Sequence, residues 1–157
     1  MKNFKLDAID RKILRILQQN ANITNARLAK QIGLSPAPTL ERVKKLEENR
    51  VIRSYHANID PAAVGLGVST FVMCSLKGHN KENIEKFVKA IENIDEVIEC
   101  HHITGAGDFI LRIICADIAS YQQLILEKIS NIEVVDSLQT MVVLSTFKDS
   151  SVLPIPE

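Results

Sequence analysis

Over the first fifty positions apolar residues recur at the three-and-four spacing of a helix face. Ile9, Ile13, Leu14, Ile16 and Leu17 line one side of a helix predicted over residues 7–19, with Asp7 as its N-cap. Residues 20–22 make a turn. A shorter helix starts near Thr24 and carries Ala26, Leu28, Ala29 and Ile32. Its small alanines let the next helix pack closely. It ends at Gly33, which can take the left-handed conformation a sharp helix end needs. The third helix has Ser35 as N-cap, Pro36 at its first position and Pro38 still in the first turn, where a missing N–H costs no helical bond. Leu40, Val43 and Leu46 follow as its apolar stripe, and the helix fades at residues 48–50. Helix, glycine turn and basic helix form the helix-turn-helix pattern.

Beyond residue 50 the period changes. Residues 51–59 alternate loosely and are expected to form an extended connector, or a strand pairing with another chain. Residues 62–67 hold two glycines and mark a domain boundary. Then come a strand over 68–76, a helix over 81–92, a strand over 97–103, a turn over 104–108, a strand over 109–115, a helix over 118–129 and a strand over 134–146. That order is βαββαβ, the ferredoxin-like pattern, and the fold class is α+β. Ile84, Phe87, Val88 and Ile91 make the apolar face of one helix; Tyr121, Leu124, Ile125 and Ile129 make that of the other. Such a fold puts both helices on one sheet face. The strands are apolar on both sides, so the open face is expected to be covered by a partner subunit. The domain expectation is 1–53, a linker over 54–67, a second domain over 68–147, and a tail over 148–157. The tail has two prolines and no periodicity, and is expected to be loose or to pack on a neighbour.

Charge sharpens this division. The 157 residues carry 19 Lys/Arg and 19 Asp/Glu, a formal net charge of zero. Residues 1–53 hold 12 basic and 5 acidic residues, a net of +7, and residues 54–157 hold 7 and 14, a net of −7. A basic third on an acidic remainder points to a nucleic-acid-binding domain joined to a domain with another task. No run approaches the ~18 apolar residues that cross a bilayer, and the first twelve residues have no apolar signal segment, so a cytoplasmic protein with no membrane partner is expected. Cys74, Cys100 and Cys115 lie in strand-like segments and read as reduced core residues.

On these residues the chain resembles a known family. LDAIDRKILRILQQNANITNARLAKQIGLSPAPTLERVKKLEENRVI, followed by ECHHITGAGDFILRI, is similar to the Lrp/AsnC (leucine-responsive, feast/famine) transcriptional regulators from Leu6 to about Phe147. The resemblance implies a ferredoxin-like (RAM-type) second domain that pairs chains into homodimers and gathers these into octamers. It implies DNA binding by the helix-turn-helix and sensing of an amino acid by the second domain. Arg50 stands where a glycine is usual, with Asn49 expected to supply the turn. Residues 141–143 lack the tyrosine of the leucine-responsive archetype.

A helix fits the major groove, where base edges carry a readable pattern. The start of the third helix, from Ser35, offers free amides to phosphate. Ala37, Pro38, Thr39, Glu41, Arg42 and Lys45 are candidates for the groove or its walls. Arg42 either bonds a guanine edge or phosphate, or braces the third helix against the first through Asp7 or Asp10. Lys44 and Lys45 suit phosphates, as do Arg27 and Lys30 on the second helix. Glu41 either accepts from cytosine or orients Arg42. A dimer presents two such helices, so a roughly palindromic double-stranded DNA site follows.

The segment Thr104, Gly105, Ala106, Gly107, Asp108 joins two strands, and as a hairpin loop it needs glycine. It lacks the later glycines, lysine and helix of a nucleotide-binding loop. The family resemblance implies that its amides receive an amino-acid carboxylate, that Asp108 or a carbonyl receives the ammonium group, and that the effector sits between dimers. It also nominates His102, Ile103, Thr140, Met141, Val142 and Val143. Cys100, His101 and His102 alternate across a strand and find no second cluster, so no metal is expected; a histidine at a subunit interface is the better reading. No cofactor is expected beyond the amino-acid effector. No nucleophile–base pair stands out, which argues against the rival reading of a small ferredoxin-like enzyme. The other rival is an architectural DNA-wrapping protein without an effector.

Overall fold

The computed structural model describes residues 4–156; Met1–Asn3 of the first expected domain and Glu157 of the tail lie outside the described residues. Two compact units are present. One takes in the chain up to Asn58 together with the segment beginning at Lys148, and the other is Ile59–Phe147.

The first unit is built on α1 (Ala8–Leu17), α2 (Asn25–Ile32) and α3 (Pro36–Glu48). Asp7 caps α1 by accepting from the Asp10 amide, and Asp10 returns the bond to the Asp7 amide. Thr24 caps α2, and Gly33 ends it with φ +80°. Ile13, Leu28, Ile32 and Leu46 form the buried centre, wrapped by half-buried neighbours such as Leu6, Ile9, Leu17 and Val43. Ala29 is buried in the helix packing, whereas Ala26 faces solvent.

Helix α3 corrects three expectations. Its inward stripe is Thr39 and Leu46, both buried, with half-buried Val43, while Leu40 is 44% exposed. Thr39 takes the inward position because its hydroxyl donates to the Ser35 carbonyl (2.9 Å), which removes the cost of burying it. Ser35 occupies the N-cap position but makes no side-chain capping bond; its carbonyl, not its hydroxyl, is engaged. At the far end Asn49 keeps φ at −83°, and Arg50 itself takes the left-handed turn at φ +56°. The connector that follows pairs with no strand of its own chain, and Tyr55 anchors it by donating from its hydroxyl to Glu47 Oε1 (2.8 Å).

The second unit contains β1 (Val68–Leu76), α4 (Lys81–Ile91), β2 (Val97–His102), β3 (Phe109–Cys115), α5 (Ile118–Leu124) and β4 (Val135–Val142). The sheet is antiparallel with order β2-β3-β1-β4. Alternate residues face α4 and α5: Val72, Cys74, Leu76, Leu111 and Ile113 pack with Phe87, Ile91, Leu124 and Ile129. The expected last helix loosens into a π turn over Ile125–Ile129, where the Ser130 amide reaches back to the Ile125 carbonyl (2.8 Å). The expected strand to residue 146 stops at Val142. One more bond, Val143 N–H to the Ser69 carbonyl (2.9 Å), follows it, and Leu144 and Phe147 are almost fully exposed. Cys74 and Cys115 are buried, but Cys100 is exposed on the edge strand. Burial pushes the Cys74 thiol up to about 12, so it stays protonated.

Candidate DNA-reading helix and effector loop

The DNA candidates divide by burial. Arg27 and Lys30 on α2, and Ser35, Ala37, Pro38, Glu41, Lys44 and Lys45 on α3, are all exposed. Thr39 is fully buried and cannot reach a base. Arg42 turns inward: its Nη1 donates to Asp7 Oδ2 and to Asp10 Oδ1, each at 2.7 Å. The two aspartates already form the reciprocal cap of α1, so every carboxylate oxygen of the pair has a donor. The Asp10 amide first, and then Arg42, hold the Asp7 carboxyl below the ordinary carboxylate range, and the same pair raises the guanidinium. Of the two roles open to Arg42, this geometry favours the brace. Leu40, missed because it completed an apolar stripe in the sequence, joins the exposed face of the recognition helix.

In the second unit His102 and Phe109 are the last paired residues of β2 and β3, with rings stacked 4.8 Å apart at 24°. The loop between them is held from below. The Ile103 amide donates to the Asp108 carbonyl (2.9 Å), and the Asp108 amide donates to the Cys74 carbonyl (2.9 Å). The Asp108 carboxylate accepts from the Leu76 amide at Oδ2 (2.7 Å) and meets His79 Nδ1 at Oδ1 (2.7 Å). Asp108 is 9% exposed and its two carboxylate oxygens are engaged within the loop's support, which leaves a loop carbonyl as the freer acceptor for an ammonium group. Gly107 packs so close to β1 that a Cβ there would come 2.4 Å from Met73 Cγ and 3.3 Å from the Cys74 carbonyl oxygen. Gly105 has φ +125° and open space around it. Thr104, Gly105 and Ala106 are exposed, and their amides donate to no backbone carbonyl among the described residues.

Beside this loop an apolar cleft of about 420 Å³ runs between α4 and β2. Val88, Ile91, Val97, Ile98 and Phe109 line it, His102 stands at its loop end, and Glu92 and Glu99 carry its charge. The remaining nominated residues lie elsewhere. Val142 pairs with Thr70 and Met141 with Phe71, whereas the loop adjoins Cys74 and Leu76 at the other end of β1. Four residues of strand, ~13 Å, separate these levels. Thr140 is bonded through its hydroxyl to Tyr121, while Met141 and Val142 are exposed and Val143 is half-buried. One chain therefore assembles His102, Ile103 and the loop, and leaves residues 140–143 apart from them.

The Lrp/AsnC ligand-binding domain model matches residues 69–153, and a winged helix-turn-helix DNA-binding model matches residues 6–53. The leucine-responsive regulatory protein of Rhizobium meliloti is 38% identical over 93% of this chain and 94% of its own. The transcriptional regulator AzlB of Bacillus subtilis is 35% identical over 97% of both. The chain belongs to the Lrp/AsnC family. Among solved structures, a Neisseria meningitidis transcriptional regulator in complex with L-Met superimposes with a TM-score of 0.91 at 33% identity, covering 96% of this chain and 97% of that one. Escherichia coli AsnC superimposes at 0.87 with 29% identity, covering 94% and 98%. This Lrp/AsnC-family chain is thus a DNA-binding regulator, not an enzyme, with a helix-turn-helix unit and a ligand-binding domain of the family's type. No described helix is long and apolar enough to cross a membrane, and no three His, Cys, Asp or Glu gather among the described residues as metal ligands would.

Proposed function

We propose that the protein regulates transcription by binding double-stranded DNA with α3 and an amino acid at the β2–β3 loop. The observation that carries the effector reading is the loop itself. It is fixed to β1 by Asp108 and Gly107, yet three exposed residues of it have amides with no backbone acceptor, beside an apolar cleft. The amides suit a carboxylate. The cleft has the size and lining of a small-molecule site and would take an aliphatic side chain. With Asp108 occupied, an ammonium group has Glu92, Glu99 or loop carbonyls as acceptors. The complex of the Neisseria relative with L-Met supports an amino acid as the class of effector. Residues 140–143 join such a site only when supplied by another copy, in keeping with a homodimer that assembles to an octamer.

The sheet face away from the helices suits pairing of two copies. Phe71, Met73, Ile110, Ile114 and Met141 form an apolar band, flanked by Arg112, Glu99 and His101, which bond one another at 3.0 and 3.1 Å. On DNA, Ala37, Leu40 and Glu41 face base edges, with the apolar pair suited to thymine methyl groups and Glu41 to cytosine. Lys44, Lys45, Arg27 and Lys30 hold phosphates. A panel of the common amino acids tested for thermal stabilisation checks the effector. At least one is expected to raise the melting temperature of the wild type and not that of Gly107→Val. No shift from any of them would remove the effector and leave the architectural reading.

A further inference from the structure

The tail lacks hydrophobic periodicity, yet it is held in the first unit by its backbone. Gln18, just past the end of α1, donates from Nε2 to the Leu153 carbonyl (3.0 Å), and the Leu153 amide donates to Gln18 Oε1 (2.9 Å). One side-chain amide thus satisfies both backbone groups of one residue, as a neighbouring strand would. Three residues earlier, on the same side of the helix, Arg15 Nη2 donates to the carbonyls of Ile155 (3.2 Å) and Pro156 (3.0 Å). The Ile155 amide donates to the Leu153 carbonyl (2.9 Å), closing a three-residue turn about Pro154, whose ring fixes φ close to the value such a turn needs.

The match is chemical as well as geometric. Leu-Pro-Ile-Pro has only two backbone N–H groups, and both are bonded. What it offers outward is carbonyl oxygen, and α1 answers mainly with donors. The same chain passes between the two units twice, once at 58–59 and again at 147–148. The second passage comes five residues after β4 ends at Val142.

We propose that Arg15 and Gln18 form a peptide-binding surface on the DNA-binding unit, that its occupant is this chain's own segment 153–156, and that the seated strap restrains that unit so that it loses less freedom on DNA. The consequence for DNA rests on the reading of α3 given above. The clasp itself does not, and the experiment separates them.

Amide hydrogen exchange on the full chain comes first. The Leu153 amide is protected in the wild type. In Gln18→Ala it loses that protection, while the helical amides of α1 keep theirs. DNA affinity follows, on a duplex that the wild-type protein selects from a random-sequence pool. Gln18→Ala and a chain stopped after Asp149 each weaken binding by about three- to tenfold, and the two changes together weaken it no further than either alone. Leu153 exchanging as fast as an unstructured amide in the wild type overturns the clasp. A protected Leu153 with truncated-chain affinity within about twofold of wild type overturns the restraint. Failure of the wild type to select any duplex removes the DNA reading, while the Leu153 exchange still decides the clasp.

Discussion

Arg42 lies where α3 meets the cap of α1, and replacing it separates the two roles a recognition-helix arginine can have. Asp10 is 7% exposed and would be left with one donor fewer. Arg42→Ala is therefore expected to lower the stability of the first unit by about 1–3 kcal/mol, read from chemical denaturation. Its affinity for selected and random duplexes should fall in parallel. A loss confined to the selected duplex would return Arg42 to base readout. The same cluster sets a pH dependence. The Asp7 carboxyl is depressed in the folded unit, so its contribution is fully present above its unfolded pKa of about 3.9 and is lost as pH falls below that value. Thermal melts taken downward from about pH 5 should show this slope, and Arg42→Ala should reduce it only in part, because the Asp10 amide remains. Arg50 gives the opposite sign. A side chain at φ +56° is strained, and Arg50→Gly should stabilise by about 1 kcal/mol, seen as a raised melting temperature. Residue roles were the least legible part of the sequence. Arg42 has the same spacing whether it reads or braces. Thr39 looks like a surface residue until its hydroxyl is seen to be satisfied by the Ser35 carbonyl one turn back.

At the scale of elements, periodicity served well where side chains do the holding. The faces of α1, α4 and the strands were readable because burial follows their 3.6 and 2.0 periods. It failed where backbone groups do the holding. The strap has no pattern because Arg15 and Gln18 grip its carbonyls and one amide. The β2–β3 loop was legible as a turn, but its glycines divide into two functions that composition cannot separate. Gly105 is needed for a positive φ, and Gly107 for contact with Met73 and Cys74. Gly107→Ala should cost about 1–3 kcal/mol through overpacking, measured as a lower denaturant midpoint. A neutral result would mean that Met73 moves aside freely.

At the scale of the molecule, a +7 first third and a −7 remainder hide under a net charge of zero, and the charge split agrees with the division of labour between the units. The expected cover of the open sheet face gives a mass prediction. Phe71, at 36% exposure, sits in the middle of the apolar band, and Phe71→Asp should yield monomers by light scattering where the wild type gives dimers or larger assemblies. The proposed effector site was only half legible. The loop and His102 come together in one chain, but residues 140–143 lie at the other end of β1, a separation that depends on register and not on sequence spacing. The central claim is that one molecule couples an amino acid to DNA. The most direct test is a fluorescence-anisotropy titration of a selected duplex, repeated with each common amino acid and at rising salt. The account predicts that affinity falls steeply with salt and that at least one amino acid changes it by about fivefold or more. Tight binding that no amino acid alters would contradict it.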